Sequence, residues 1–219
     1  MTAAGVISAE EAVSHVRSGD TVMVGGFGLV GAPLTLIDAL VDHSDATDLT
    51  IVSNNLGEPG KGLGRLLRQG RIRRGISSYF TSNPEAVAAV NAGEIVATLL
   101  PQGTFAEAIR AGGAGIPAFF TPVGAGTDLT RGKEVRRFGD RDYVLEPAIQ
   151  GDLALVRADT ADQYGNLTFR YAQANFGPVM ATAARLAVAE VRVVTDQPIA
   201  HDRAQLPGIY IDRVVTAAE

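Results

Sequence analysis

The segment Asp20-Thr-Val-Met-Val-Gly-Gly-Phe-Gly-Leu-Val-Gly-Ala-Pro33 constrains this chain more than any other. Thr21 to Val24 is a continuous apolar and β-branched run, which suits a strand covered on both faces. The glycines that follow form an elbow, and Pro33 fits the opening of a helix carrying Leu34 to Val41. A strand that ends in glycines and hands over to a helix can leave bare backbone N–H groups facing a negative charge or a phosphate. The rest of the chain is therefore expected to be arranged around this elbow.

The remaining sequence repeats the same grammar through its first half. Ser8-Ala-Glu-Glu11 is a capping box that opens a helix ending near Gly19-Asp20. Asp48 to Ser53 reads as a second buried strand, with Asn54-Asn55 just past its end. Gly62 to Gln69 is a short helix and Ile72 to Tyr79 a third strand. Asn83-Pro84-Glu85 starts a helix running to Ala92. Val96 to Leu100 is a fourth strand, broken by Pro101-Gln102-Gly103-Thr104 before a helix from Phe105 to Ala111. Strand–loop–helix units of this size predict an α/β fold with an open, mostly parallel, doubly wound sheet.

After Gly112 the pattern changes. Two glycine runs, Gly112 to Gly115 and Gly124 to Thr127, flank Ala118 to Val123, and strands are expected at Val135–Phe138, Asp142–Leu145, Leu153–Ala158 and Leu167–Arg170, with Gln163-Tyr164-Gly165-Asn166 as a hairpin-type turn. A helix over Pro178 to Ala184 and strands at Ala187–Val194 and Ile209–Val215 close the chain. This half is expected to be an antiparallel C-terminal elaboration within one domain spanning 1–219. The glycines 112, 113 and 115 suggest a hinge or an interface contact.

Composition narrows the function. The chain has 219 residues, 46% of them hydrophobic, enough to bury a sizeable core. Its net charge of −5 gives no broad positive field, so nucleic acid is not an expected partner. The local cluster Arg65, Arg68, Arg71, Arg73 and Arg74 fits a solvated face or a small phosphate. No cysteine is present, which excludes disulfides and thiolate chemistry. His15, His43 and His201 lack metal-ligand spacing, so no metal is expected. No apolar run approaches the roughly 18–20 residues that cross a bilayer, and the N-terminus lacks a signal-peptide pattern, so a cytoplasmic location is expected.

Gly26-Phe-Gly28-Leu-Val-Gly31 matches the G-x-G-x-x-G dinucleotide fingerprint in its strand-to-helix context. That fingerprint also wants an acid roughly 20 residues on, at the end of the second strand. The chain offers Ser53-Asn54-Asn55 there, which weakens a nicotinamide-dependent oxidoreductase without disproving it.

Asp20 to Pro33, with its apolar triplet, Gly-Gly-Phe, then Gly and Pro, resembles the signature of the alpha subunit of family I coenzyme A transferases. The similarity continues in order through Ser53-Asn54-Asn55, Pro101-Gln102-Gly103-Thr104 with Glu107 and Arg110, Ala111 to Gly115, Phe119 to Pro122, Lys133-Glu-Val-Arg136, Tyr143-Val-Leu-Glu146 and Asn175-Phe176. It covers nearly the whole chain, in the order of the alpha subunit of 3-oxoacid and 3-oxoadipate CoA-transferases.

That resemblance implies ping-pong covalent catalysis. A glutamate attacks the acyl-CoA thioester, CoA returns to form a glutamyl–CoA thioester, and an acceptor acid opens it. Each step passes through an oxyanion that needs positioned N–H donors. The resemblance assigns catalytic positions to Asn54 and Gln102, and contact with CoA or its acyl group to Gly25, Gly26, Phe27, Gly28, Leu29, Val30 and Gly31. Coenzyme A is then a substrate, with no cofactor tightly bound. The nucleophilic glutamate belongs to a beta subunit in relatives, and its sequence context is missing here, which implies an α2β2 assembly. Glu107 and Glu58 lie nearest the matched motifs, and Glu107 fits a helix-start charge better than a nucleophile. The acceptor is expected to be 3-oxoadipate or acetoacetate and the donor succinyl-CoA. An acyl-CoA hydrolase or a CoA-ester ring-opening enzyme of the same fold is the alternative.

Overall fold

The computed structural model describes residues 5–218. In chain order its elements are β1 (Gly5–Val6), α1 (Ala9–Val13), β2 (Thr21–Val24), α2 (Leu34–His43), β3 (Leu49–Ser53), α3 (Leu63–Arg68), β4 (Ile72–Ser77), α4 (Pro84–Asn91), β5 (Val96–Leu99), α5 (Gln102–Gly113), β6 (Ala118–Thr121), β7 (Val135–Phe138), β8 (Arg141–Pro147), β9 (Gly151–Asp162), β10 (Leu167–Thr168), α6 (Gly177–Ala183), β11 (Ala184–Thr195) and β12 (Arg213–Thr216). Among these, no helix is long and apolar enough to cross a membrane.

The main sheet has nine strands, with the path β1-β12-β11-β9-β2-β3-β4-β5 and β10 paired to β9 off that path. Every neighbouring pair along the path is parallel. Side chains alternate across the strands, so Val22, Val24, Ile51 and Leu155 pack on one face with residues of α1 to α4. Met23, Val52, Ala154 and Val156 pack on the other with α5 and α6. Burial on both faces is what makes these strands continuous apolar runs.

The α/β class and the doubly wound parallel sheet stand as expected. The antiparallel part is narrower than the sequence suggests. It consists of the three-stranded sheet β6-β8-β7 and the short β9–β10 pair. The long strands β9 and β11 instead rejoin the parallel sheet, because α6 provides the crossover that a parallel pair requires. Both are longer than expected, since their charged residues match across the pair. Arg157 lies opposite Glu190 in register, and Arg192 Nε reaches Asp159 Oδ1 at 2.9 Å.

Boundaries differ as well. The Ser8 hydroxyl accepts from Glu11 N at 3.0 Å as the capping box requires, but α1 ends at Val13, where the Ser14 hydroxyl turns back to donate to Glu11 O. Helix α5 starts at Gln102, earlier than expected, with Pro101 at its cap. Gly112 is a packing residue rather than a hinge: a Cβ there would lie 2.1 Å from Ile149 O, so the glycine permits close approach of α5 to the segment leading into β9.

Chain order fixes where a ligand can sit. From β2 the sheet grows outward through β3, β4 and β5, and from β9 it grows the opposite way through β11 and β12. The order reverses between β2 and β9, and open α/β sheets bind ligands outside the carboxyl ends of strands at such a switch point. The glycine elbow begins there.

Candidate active site

Hydrogen bonds inside the elbow use most of its donors. Gly25 N still belongs to the sheet and donates to Leu155 O at 2.9 Å. Gly26 N donates to Asn175 Oδ1 at 2.9 Å. Phe27 and Val30 then form a two-way backbone pair at 2.9 and 3.2 Å, closing a tight turn over Gly28-Leu29. Asn175 Nδ2 donates to Val30 O at 3.1 Å and Gln173 O at 3.0 Å, so one side chain clasps both limbs of the turn. Gly31 has a φ of +69°, and a Cβ there would lie 2.5 Å from Asn175 Nδ2. Only glycine fits beneath the clasp. The outer side is apolar and open, with Phe27 51% and Val30 59% exposed.

The start of α2 is closed to a phosphate. Its third residue, Leu36, donates its N–H to Glu190 Oε2 at 3.0 Å. Glu190 is fully buried and paired with Arg157. Burial pushes the Glu190 carboxyl up, against the opposing pull of the Leu36 N–H and Arg157. A carboxylate of the chain thus fills the position where a dinucleotide fold seats its pyrophosphate. This corrects the expectation of bare N–H groups at the helix start, and it removes the structural support for a nicotinamide cofactor. Gly25 and Gly26 are buried, with their N–H groups used internally. The part of the elbow open to a ligand is Phe27 to Val30.

The two positions given catalytic roles lie in contact. Asn54, at the end of β3, is 1% exposed, and its Nδ2 donates to Gln102 Oε1 at 3.1 Å and to Ser78 Oγ at 2.9 Å. Ser78, just past β4, donates from Oγ to the same Gln102 Oε1 at 3.1 Å. Gln102 opens α5 past the end of β5 and is exposed. The base beneath is fixed by serines: Ser53 Oγ donates to Val24 O at 2.8 Å and Ser77 Oγ to Ser53 O at 2.7 Å. Asn55 is held by Gly57 N at its Oδ1, 3.1 Å away, and its Nδ2 lies 4.0 Å from where a Gly28 Cβ would stand. Elbow and amide cluster therefore lie side by side along the carboxyl ends of β2 to β5.

The family model for Coenzyme A transferase matches residues 6–217. The chain belongs to the coenzyme A transferase family. Among curated relatives, it is 50% identical over 204 residues to the A-type subunit of the succinyl-CoA:3-ketoacid coenzyme A transferase of Xanthomonas campestris pv. campestris, covering 93% of this chain and 84% of that one. Among solved structures, the acyl-CoA transferase of Escherichia coli in a thioester complex with CoA superposes with a TM-score of 0.86 at 23% identity. That match covers 99% of this chain and 47% of the other, so this chain spans just under half of that structure's length. A variant of the decarboxylase AibA/AibB aligns with a TM-score of 0.81 at 26% identity, over 99% of this chain and 84% of that one.

Other charged residues of this coenzyme A transferase chain have partners elsewhere. Glu107 pairs with Arg110 at 2.7 Å, and that hydrogen bond holds its carboxyl below the usual range. Because α5 starts at Gln102, Glu107 lies beyond the first turn, so its helix-start reading gives way to an i,i+3 pair. Arg65 bonds Asp38 and Asp42, Arg68 bonds Glu85, and buried Arg71 donates to the carbonyls of Leu40, Val41 and Ala46, closing the end of α2. Three of the clustered arginines thus serve the fold. Lys133 and Glu146, from two of the matched motifs, form an ion pair at 2.7 Å that ties the small sheet together.

Sequence reasoning missed Ser78, Glu190 and the clasp made by Asn175. Glu190 had a signal, a lone acid within the apolar run Ala187 to Val194. Ser78 had a weaker one, a Ser-Ser pair ending β4 beside the Ser-Asn pair ending β3.

Proposed function

We propose that this chain is the alpha half of a two-chain 3-oxoacid CoA transferase, moving CoA from succinyl-CoA to a 3-oxo acid, with 3-oxoadipate and acetoacetate as the acceptors to compare. The observation that carries this reading is the 50% identity across 93% of the chain to a succinyl-CoA:3-ketoacid coenzyme A transferase chain. It is supported by the paired amides past the carboxyl ends of β3 and β5, beside the elbow that leaves the sheet at the switch point. Among the described residues, no carboxylate is hydrogen-bonded to Asn54, Ser78 or Gln102. In this reading the nucleophile comes from a beta subunit, in an α2β2 assembly of the closed symmetric kind.

In this mechanism the partner's glutamate attacks the thioester carbonyl, expelling CoA thiolate and leaving an acyl–glutamyl anhydride. The thiolate attacks the glutamyl carbonyl of that anhydride, releasing the donor acid and forming a glutamyl–CoA thioester. The acceptor carboxylate opens the thioester to a second anhydride, and CoA attacks its acceptor acyl carbon to release product and regenerate the glutamate. The amide cluster binds the negative oxygens that arise at each addition. The apolar outer face of the elbow, Phe27 to Val30, lies against the acyl and thiol end of the substrate.

The test is reconstitution. Mixed with its beta partner, the chain should transfer CoA from succinyl-CoA to a 3-oxo acid and sediment as a complex. Alone, it should give background rates. Transfer by this chain alone removes the two-chain reading, and hydrolysis or decarboxylation in place of transfer by the complex removes the transferase reading.

A further inference from the structure

Side-chain hydrogens in the amide cluster can be counted. Asn54 Nδ2 carries two, and both have acceptors inside the cluster, Ser78 Oγ at 2.9 Å and Gln102 Oε1 at 3.1 Å. The Ser78 hydroxyl hydrogen also goes to Gln102 Oε1, at 3.1 Å. Gln102 Oε1 thus receives two donors, which fixes the amide with its oxygen inward and its Nε2 outward. Gln102 is exposed while Asn54 is 1% exposed. In this arrangement the N–H groups offered to a ligand belong to Gln102, and those of Asn54 are used internally.

We propose that Ser78 is a positioning residue that couples the two amide orientations, so that exposed Gln102 is held with its N–H donors outward while buried Asn54 keeps its own inside the cluster. Turning Gln102 alone would set its Nε2 against Asn54 Nδ2, donor facing donor. Turning both amides is consistent only if the hydroxyl reverses its role, accepting from Gln102 Nε2 and donating to Asn54 Oδ1. A hydroxyl is suited to this because it donates and accepts at one atom. Asn54 then acts through Gln102 in the arrangement seen, as a second positioning residue.

This inference rests on the transferase reading, and two measurements keep them apart. In the reconstituted complex, Ser78→Ala should lower kcat/KM for succinyl-CoA about tenfold, the worth of one hydrogen bond, and Ser78→Thr, which keeps the hydroxyl, should restore most of it. In a Gln102→Ala background the Ser78→Ala change should have no further effect, because its effect passes through that amide. An equal loss in both backgrounds overturns the proposal in favour of a structural role, as does an unchanged kcat/KM. On the folded chain alone, NMR should find slow hydrogen exchange at Asn54 Nδ2 and fast exchange at Gln102 Nε2, with Ser78→Ala accelerating the former. If the complex transfers no CoA, the functional reading falls and this exchange pattern still decides Ser78. Fast exchange at both amides, or the reverse order, overturns it.

Discussion

Asp162 shows how a single buried carboxylate is made stable. It is 2% exposed, and burial alone would raise its pKa, yet N–H groups of Tyr164, Asn166 and Ile199 and the Asn166 side-chain amide all donate to it at 2.9 Å and hold it below the ordinary 3.8. With the folded pKa below the unfolded one, the stabilisation is fully present above about pH 4 and is lost as pH falls through the lowered value. Asp162→Asn should therefore cost about 1.5–3 kcal/mol near neutrality. The melting temperatures of wild type and variant should converge in acid. A constant gap from neutral to acid pH would mean that charge has no part. At this scale the sequence was a partial guide. Gln163 to Asn166 read correctly as a turn, because Gly and Asn next to a strand are turn residues. Nothing local could show that Ile199 closes the same carboxylate from a distant loop. The same holds for Asn54 and Gln102, whose positions at strand ends were readable while the hydroxyl that couples them was not.

At the level of elements, the elbow depends on one side chain from far along the chain. Asn175 adopts a φ of +26°, a region that favours glycine and asparagine, and its amide bonds both limbs of the turn. Asn175→Ala should lose both bonds and add backbone strain, lowering stability by about 1–3 kcal/mol. Amide exchange at Gly26 should accelerate, and KM for the acyl-CoA should rise more than kcat falls. Asn175→Gly should relieve the strain yet leave the exchange fast. Unaltered exchange at Gly26 in both variants would show that the turn holds itself. Strand β2, helix α2 and strand β3 were readable because buried parallel strands and amphipathic helices leave periodic apolar patterns. The pairing of β9 with β11 was not, since register and direction come from a crossover and from cross-strand ion pairs such as Arg157 with Glu190.

At the scale of the whole molecule, the order in which the chain is made and the order in which it closes do not coincide. β2 lies between β3, the next strand in the chain, and β9, more than a hundred residues later. Thr21 N waits for Asp152, at a separation of 131 residues, Gly26 N for Asn175 at 149, and Leu36 N for Glu190 at 154. Contacts this distant slow folding, because the intervening chain must be closed before they form. During synthesis, the strand at the centre of the finished sheet is for a time an apolar edge. Chains stalled before residue 151 should therefore be cleaved by protease near the elbow, and protection should arrive only once β9, Asn175 and Glu190 have emerged. Early protection would mean that the N-terminal half builds the elbow unaided. The ribosome thus delivers the turn long before the side chains that hold its shape.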